Sequence, residues 1–350
     1  MNDKYTGSWT ALVTPFTKSF GVDWEAFKNL LEFQMSQAST GVLPMGSTGE
    51  SATVTHKEHS EIIAKTTEII NGRCRVLAGT GSNNTDEALH ETGLAVEAGV
   101  DACLLVDCYY NKPSSIALRK EYYEPVLSKF PEMDFISYAI PGRSVTVISP
   151  EDLAILRHTN PNLVAVKDAT GDFERMARTK SLVGEDFNII SGDDPNTFQM
   201  MSDKNIGASG VISVISNIAP ASTEKLTRML LEGRLDEAKK LDETLKPLYD
   251  IVGVKTVENV KLPNGQTTQV TYKHPNPVPV KTMMQALGMI EVGCKRPCGK
   301  LTKAGVEVVR SAITKVFTSN PEIIEPVGKH FDVDVGGRIG VDKFWENLSY

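Results

Sequence analysis

Short apolar runs rich in β-branched residues alternate with longer segments of helical periodicity over the first 230 residues. Eight such runs occur: WTALVTP, TGVLPMGS, CRVLAGTG, ACLLVDC, DFISYAI, LVAVKD, FNIISGD and ASGVISV. Between them, segments such as DWEAFKNLLEFQMSQA and HKEHSEIIAKTTEIING place apolar residues at i, i+3, i+4 and i+7. This alternation predicts a (β/α)8 barrel, the TIM-barrel architecture, over residues 1–230, because such a barrel takes about 250 residues.

A doubly wound open sheet is the competing architecture, and it would carry a glycine fingerprint after the first strand. The segment TALVTPFTKSFG has none. The segment GCKRPCGKLT resembles a phosphate-binding loop, but its spacing is wrong and Leu301 stands where Ser or Thr should follow Lys300. The pattern therefore favours the barrel and gives no support to nucleotide binding.

The pattern changes after residue 230. Helical periodicity in EGRLDEAKKLDETLKPLYDIV, PVKTMMQALGMI and TKAGVEVVRSAITKVF predicts a helical region over residues 231–320. Within it, Asn264 and Gly265 lie between two alternating β-rich runs and predict a β-hairpin near residues 254–273. Residues 321–350 show little helical periodicity and end in an aromatic cluster. We expect this tail to pack on its own barrel or on a neighbouring subunit.

Composition and charge exclude some classes of partner and indicate the cellular compartment. The chain has 350 residues with a net charge of −7 and no basic block, so nucleic acid is not an expected partner. The start, MNDKYTGSWT, lacks the basic and apolar regions of a signal peptide, and no apolar run approaches the roughly 20 residues that span a bilayer. The five cysteines lack CxxC spacing. We expect a cytoplasmic protein with reduced thiols and no membrane partner.

In a barrel of this kind, side chains at the carboxyl ends of the strands converge on the face that carries the chemistry. Those ends offer Thr14, Ser47, Thr48, Glu50, Tyr109, Tyr110, Asn111, Tyr138, Arg143, Lys167, Ser191, Asp193 and Asp194. His56 and His59 are three residues apart but have no obvious third metal ligand. The sequence therefore predicts a site without metal or cofactor, built from hydroxyls, one arginine and one lysine.

Lys167 ends the apolar run LVAVKD, which is typical of a strand buried on both faces. Burial disfavours an ammonium and lowers the pKa of a lysine, which leaves a free amine able to form an imine with a carbonyl substrate. The alternative is a structural lysine paired with a carboxylate. Asp168 is a poor candidate because successive side chains of a strand point to opposite faces, but another nearby carboxylate would serve.

Six ordered motifs carry a resemblance to a known family: GSTGESATVTHKEH, YYNKP, YAIPGRS, VKDATGD, SGDD and GASGVISV. They resemble the pyruvate-dependent class I aldolases of the N-acetylneuraminate lyase superfamily, and most of all the dihydrodipicolinate synthases. The similarity spans residues 7–230 and resumes from HPNPVPVKTMMQALGM to about residue 315. Lyases of sialic acid or 2-keto-3-deoxy sugar acids, and a non-catalytic paralogue that binds lysine or a keto acid, are the alternatives.

The resemblance implies condensation of pyruvate with L-aspartate 4-semialdehyde, a step of diaminopimelate and lysine biosynthesis. Lys167 would form the imine with pyruvate, whose carboxylate would lie against Ser47 and Thr48. Tyr138 would be the central acid and base. Ser47 and Tyr110 would connect it to solvent as a proton relay, with Tyr110 reaching the site of a neighbouring subunit.

The resemblance also implies how the second substrate is recognised and how the chains assemble. Arg143 would receive the carboxylate of the aldehyde at the entrance, and the backbone near Gly192 and Ile212 would border the lysine. The family assembles as homo-oligomers, commonly dimers of dimers. Ser47 stands where threonine is commoner in the family, which keeps the hydroxyl but removes a methyl group.

A second set of matches concerns regulation by lysine, which inhibits some family members at the dimer interface. The matching residues are Ser51, Ala52, His56, His59, Asn83, Glu87 and Tyr109. Glu87 could accept an ammonium group of this effector. The alternative interpretation of His56 and His59 is that they cap and solvate the start of a helix. The resemblance favours feedback inhibition by lysine.

Overall fold

Eight parallel strands close into a barrel in the computed structural model, which describes residues 3–350. Each strand pairs with its sequence neighbour, and the last pairs with the first. The strands are β1 (Gly7–Ala11), β2 (Gly41–Leu43), β3 (Arg75–Gly79), β4 (Ala102–Val106), β5 (Phe135–Ala139), β6 (Leu163–Asp168), β7 (Asn188–Ser191) and β8 (Gly210–Ser213). The predicted (β/α)8 barrel is confirmed.

Helices surround the barrel and connect successive strands. They are α1 (Trp24–Ser36), α2 (His56–Ile70), α3 (Thr85–Glu97), α4 (Ser115–Ala117), α5 (Glu124–Lys129), α6 (Pro141–Ser144), α7 (Pro150–Thr159), α8 (Phe173–Val183), α9 (Thr197–Ser202) and α10 (Pro220–Leu231). A π-helical turn over Leu118–Tyr123 joins α4 to α5. At the start of α2 the Thr55 hydroxyl accepts from the Glu58 amide, while the Glu58 carboxylate accepts from the Thr55 amide. This reciprocal cap fixes where the helix begins.

Two hydrophobic cores follow from the alternation along the strands. The inner core fills the barrel with side chains such as Trp9, Leu77, Ile136 and Ile190, and a larger outer core lies between the strands and the helices. Tyr5 stacks on Trp9 with ring centroids 6.2 Å apart, just before β1 begins. The amino-terminal end of the barrel is therefore closed by packing, and the opposite end is left for chemistry.

After the barrel come α11 (Leu235–Tyr249), an antiparallel hairpin of β9 (Gly253–Lys261) and β10 (Thr267–Pro275), α12 (Val278–Leu287) and α13 (Lys303–Ser319). The hairpin predicted from Asn264 and Gly265 is confirmed. Gly265 has φ +87°, a left-handed conformation that glycine adopts without strain. The Thr256 and Thr302 hydroxyls lie 3.3 Å apart, which ties the base of the hairpin to the start of α13.

The carboxyl-terminal tail packs on its own barrel, one of the two placements expected from the sequence. It forms two short helices, α14 (Glu325–Phe331) and α15 (Val335–Gly340). The Phe331 ring lies 5.3 Å from that of Phe33 on α1, and Arg338 donates to the Ala286 carbonyl at 3.1 Å. At seven and six residues, these helices are too short to give a clear periodic pattern.

Two further expectations can be compared with the structure. All five cysteines carry free thiols. Among residues 3–350, no helix is long and apolar enough to cross a lipid bilayer.

Candidate active site

Lys167 lies at the carboxyl end of β6, beside Tyr138 on β5, its register partner. The lysine is 4% exposed, and its Nζ atom lies 4.2 Å from the centre of the Tyr138 ring. Within residues 3–350 the amine has no hydrogen-bond or ion-pair partner. Burial lowers the pKa of Lys167 to about 7, a shift that Asp194 opposes and Arg143 reinforces. A fraction of the side chain is therefore a free amine near neutral pH.

Asp168 is not the partner of Lys167. Its Oδ1 atom accepts from the amide and the hydroxyl of Thr170, at 2.9 and 2.6 Å. Its Oδ2 atom lies 3.8 Å from Nε of Arg175 on α8. The carboxylate therefore faces the helices outside the barrel, as the alternation of side chains along a strand requires.

Gly192 lies beside Lys167. A Cβ atom on Gly192 would stand 3.1 Å from both Cγ and Cε of Lys167 and 3.0 Å from the Ala169 Cβ atom. A side chain at residue 192 would therefore push the lysine aside. Ile212, on β8, is buried in the inner core with Tyr138.

The Tyr138 hydroxyl is held in its protonated form. Burial raises the pKa of this phenol well above its usual range; Arg143 lowers the pKa and Asp193 raises it, but burial dominates. The ring is 5% exposed and belongs to the inner core, which restricts its orientation. A protonated phenol on a ring of restricted orientation therefore lies next to the amine of Lys167.

Asp194 is the anionic group that acts on Lys167. Its carboxylate accepts from the Ser213 hydroxyl and from the Val214 amide, the latter at 2.9 Å. Burial raises the pKa of Asp194 to about 6, although these hydrogen bonds act in the opposite direction. These hydrogen bonds hold the Asp194 carboxylate at the end of β8, and it forms no salt bridge with Lys167.

Ser47 and Thr48 lie in a turn that follows β2 and crosses the end of β3. The turn is closed by a hydrogen bond from the Gly49 amide to the Gly46 carbonyl at 3.0 Å. The Thr14 hydroxyl donates to the Gly49 carbonyl at 2.7 Å. The turn therefore offers two hydroxyls from a backbone that is held by its neighbours.

Glycine is required where this turn meets β3. A Cβ atom on Gly79 would lie 2.2 Å from the carbonyl oxygen of Met45. Any other residue would displace the turn, so the close approach of the two segments depends on this glycine.

A buried ion pair fastens the same turn to the carboxyl-terminal helices. Nζ of Lys281, on α12, lies 2.6 Å from Oε1 of Glu50 and 2.7 Å from the Thr14 carbonyl oxygen. The Lys295 amide donates to the other Glu50 oxygen at 2.8 Å. The Lys281 and Glu50 side chains are fully buried. The pattern at the strand ends pointed to Glu50, but nothing in it pointed to Lys281.

Asn276 connects two residues expected to bind substrate. Its Nδ2 atom donates to the Thr48 hydroxyl at 2.8 Å, and its backbone oxygen accepts from Arg143 at 2.7 Å. Its Oδ1 atom is buried without a hydrogen-bond partner in residues 3–350. Sequence reasoning missed Asn276 because it follows the hairpin, far along the chain from both partners. The motif HPNPVP was the available signal.

Tyr110 does not join this group within its own chain. It has φ +75° and is 82% exposed, so its ring projects from the surface. Tyr109 instead lines a cavity of about 570 Å³ beside the barrel mouth, which also reaches Ser47 and Arg143. The two consecutive tyrosines therefore differ in their surroundings.

The cavity brings together every residue that was matched to an effector pocket. Its lining includes Ser51, Ala52, His56, His59, Asn83, Glu87 and Tyr109. The Ser82 hydroxyl donates to Glu87 at 2.7 Å and fixes this carboxylate at the start of α3. The residues come from the turn after β2, from α2, from the start of α3 and from the end of β4.

Glu91 is an unexpected member of this lining. Its Oε2 atom lies 3.0 Å from Nδ1 of His59, and its Oε1 atom lies 3.4 Å from Nδ1 of His56. Burial alone would raise the pKa of Glu91, but His59 and His56 bring it below its usual range. These histidines, interpreted from sequence as effector contacts or as a helix cap, thus also hold a buried carboxylate.

Residues 4–267 match the model of the dihydrodipicolinate synthetase family. The chain belongs to this family. It is a lyase of that family and is similar to curated relatives named 4-hydroxy-tetrahydrodipicolinate synthase. The relative from Nitratidesulfovibrio vulgaris (strain DSM 19637 / Miyazaki F) is 36% identical over 311 residues, which cover 89% of this chain and 98% of the relative.

Solved structures of the family agree with the sequence similarity. The chloride-inhibited dihydrodipicolinate synthase from Acinetobacter baumannii, complexed with pyruvate, has a TM-score of 0.79 and 32% identity, covering 89% of this chain and 98% of that one. The enzyme from Cyanidioschyzon merolae with lysine bound has a TM-score of 0.80 and 28% identity, again covering 89% and 98%. The synthetase family therefore accounts for the barrel and for most of the chain.

Proposed function

We propose that this member of the dihydrodipicolinate synthetase family is a 4-hydroxy-tetrahydrodipicolinate synthase, which condenses pyruvate with L-aspartate 4-semialdehyde through an imine on Lys167. The observation that carries the proposal is a buried lysine without a counter-ion, with its pKa lowered to about 7. The name of the Nitratidesulfovibrio relative and the pyruvate in the Acinetobacter structure support the choice of reaction and first substrate.

The first step forms the imine. The free amine of Lys167 attacks the keto carbon of pyruvate, and the resulting carbinolamine loses water as Tyr138 passes a proton to the departing hydroxyl. The substrate carboxylate lies against the hydroxyls of Ser47 and Thr48. The Asn276 amide, which donates to Thr48 at 2.8 Å, holds that hydroxyl in place.

The second step makes the carbon–carbon bond. Loss of a proton from the methyl group of the imine gives an enamine, which attacks the aldehyde carbon and converts its oxygen to a hydroxyl. Arg143, exposed at the entrance, receives the carboxylate of the aldehyde. The amine of this substrate then displaces Lys167, which closes the ring and regenerates the enzyme.

A proton relay requires a second subunit in this proposal. Ser47 and Tyr110 carry protons between Tyr138 and solvent, with Tyr110 supplied by a neighbouring chain in a dimer, and two dimers form the tetramer. The 82% exposure of Tyr110 supports this arrangement because the ring is free to enter another site.

Mixing two inactive variants tests the shared site. K167A and Y110F chains are unfolded and refolded together so that mixed dimers form. A mixed dimer contains one site with an intact lysine and a tyrosine from its partner, so activity should exceed that of either variant refolded alone. Activity no higher than the sum of the two would contradict a shared Tyr110.

Lysine is the proposed feedback inhibitor, bound in the cavity beside the barrel mouth. The lysine in the Cyanidioschyzon structure supports this choice, as does the gathering of all seven matched residues around one cavity. Tyr109 lines the cavity and adjoins Tyr110, so a ligand there would bias the relay from a second site.

A comparison of substrates tests the reaction. Purified chain is assayed for condensation of pyruvate with L-aspartate 4-semialdehyde and for cleavage of 2-keto-3-deoxy sugar acids and sialic acid, with K167A as the inactive control. The proposal expects condensation alone to be efficient. Efficient sugar-acid cleavage without condensation would assign the chain to the lyase alternatives, and no turnover with either would favour a binding protein.

A further inference from the structure

We infer that Glu91 is a second anionic anchor of the cavity beside the barrel mouth and that it selects a ligand with two ammonium groups. This inference rests on the proposed regulation by lysine, and it assigns the recognition of the side-chain ammonium to a particular residue. Glu87 would bind the α-ammonium group, and Glu91 the other.

Glu91 is a buried carboxylate with spare capacity for a hydrogen bond. It is 5% exposed and lines the cavity. Oε2 is engaged with His59 at 3.0 Å, while Oε1 makes no hydrogen bond of ordinary geometry in residues 3–350 and has only the His56 ring, 72% exposed, at 3.4 Å. An unsatisfied carboxylate oxygen at a cavity wall is costly unless a ligand completes its bonding.

The charge of Glu91 also lacks a permanent counter-ion. Its ion-pair partners in residues 3–350 are His56 and His59, which carry a full charge only when protonated. Glu50, which lines the same cavity, differs because Lys281 lies 2.6 Å from it and neutralises it. A cation entering the cavity would therefore find its partner at Glu91 rather than at Glu50.

The spacing of the two acidic groups suits a diamino acid. Glu87 and Glu91 stand four residues apart on α3 and both line the cavity. Residues at i and i+4 lie on the same face of a helix, about 5–6 Å apart at Cβ. An amino acid with an ammonium group at each end of a short alkyl chain can reach both carboxylates, whereas one with an apolar side chain would leave Glu91 unpaired.

The alternative is that Glu91 only links α2 to α3 through the histidines. An isosteric change separates the two roles, because glutamine keeps an oxygen that can accept from His59 but removes the charge. E97Q provides a matched control, since Glu97 lies on the same helix and is exposed. E91D keeps the charge and should bind lysine more tightly than E91Q.

Titration calorimetry with the full chain tests the inference, using L-lysine and L-norleucine, which lacks the terminal ammonium. Wild type and E97Q should bind lysine more tightly than norleucine. E91Q should lose about tenfold in lysine affinity, the size of one charge-assisted hydrogen bond, and little in norleucine affinity. Condensation and borohydride trapping of pyruvate should be unchanged in E91Q without lysine, which also shows that the variant is folded.

The results distinguish the role of Glu91 from the proposals of lysine regulation and of catalysis. Equal lysine affinity in wild type and E91Q would overturn the role of Glu91 while leaving lysine regulation intact. If wild type bound no lysine yet catalysed condensation, the regulatory proposal and this inference would both fall. If wild type bound lysine through Glu91 but did not condense pyruvate with the aldehyde, the catalytic proposal alone would fail.

Discussion

Lys167 and Lys281 are two buried lysines in similar aromatic surroundings, at 4% and 0% exposure. Each Nζ atom lies near a ring, 4.2 Å from the centre of Tyr138 for the first and 4.3 Å from that of Phe16 for the second. Lys281 has a carboxylate at 2.6 Å, in Glu50, and Lys167 has none in residues 3–350. The two sites thus share burial and differ in the counter-ion.

We propose that the counter-ion separates a structural lysine from a reactive one. The pair of Lys281 and Glu50 fastens the turn that carries Ser47 and Thr48 to α12. Without such a partner, burial lowers the pKa of Lys167 and provides a free amine. Burial alone therefore does not identify a reactive lysine, and we expect that the missing carboxylate does.

The largest expected effect is on catalysis. K167A should abolish turnover, because no other lysine among the described residues combines burial in the inner core with contact to Tyr138. The fold should be retained, since the change removes a buried amine without a partner. A continuous assay of condensation and a circular dichroism spectrum provide the measurements. Appreciable turnover by folded K167A would contradict an imine mechanism of the class I aldolase type.

The second expected effect is on stability. K281M should lower the free energy of unfolding by about 3–5 kcal/mol, because it leaves the Glu50 carboxylate buried without its partner. The double variant K281M/E50Q should recover part of that loss. Urea unfolding measures both, with K57M as the control at an exposed lysine. A loss of unfolding free energy no greater than that of K57M would show that the buried pair contributes little to stability.

The third effect concerns pH. The rate of imine trapping with pyruvate should rise about tenfold per pH unit below pH 7 and level off above it, as Lys167 loses its proton.

The free energy of unfolding should also change with pH. Because the folded-state pKa of Lys167 is about 7 and its ordinary value is 10.5, the unfolded chain binds more protons between these values, so this residue makes stability rise with pH there.

K167A serves as the control for both measurements. It should form no trapped adduct, and it should lack the contribution of Lys167 to the rise in stability between pH 7 and 10.5. A trapping rate that keeps rising about tenfold per pH unit well above pH 7 would indicate an ordinary, unshifted lysine, and a rate independent of pH from 6 to 8 would indicate a different limiting step.

The smallest effect on kinetics is expected from Arg143, at the entrance of the candidate active site. R143A should raise the KM for L-aspartate 4-semialdehyde about fivefold and change that for pyruvate less, because Arg143 is exposed and its charge is screened. R143K keeps the charge but loses the planar fork, so it should lie between wild type and R143A. Steady-state kinetics with each substrate varied in turn would show this, and equal changes for both substrates would remove Arg143 from aldehyde recognition.

The sequence predicted features that depend on local periodicity. The alternation of apolar runs with helical segments located the barrel, and the two-residue period of a strand put Asp168 on the face opposite Lys167. The residues that were missed depend on contacts between distant parts of the chain: Asn276 reaches Thr48 across 228 positions, and Lys281 reaches Glu50 across 231. Such contacts have no local pattern, so only the folded chain shows them.

Glu91 and Tyr110 show two further limits of sequence reasoning. Glu91 meets His59 across 32 positions, on the next helix, where a lone glutamate looks like any solvated helix residue. The motif singled out Tyr110, but its expected role depends on another subunit, and within one chain it is 82% exposed. Local pattern therefore cannot describe a site that is completed by another helix or another chain.

Trapping the imine with borohydride tests directly whether Lys167 is the reactive lysine. The chain is incubated with pyruvate and borohydride, with and without L-aspartate 4-semialdehyde, then digested and analysed by mass spectrometry. We expect a reduced pyruvyl adduct on Lys167, less of it when the aldehyde is present, and no adduct on Lys281. An adduct on Lys281, or none at all, would contradict the claim that the lysine without a counter-ion is the reactive one.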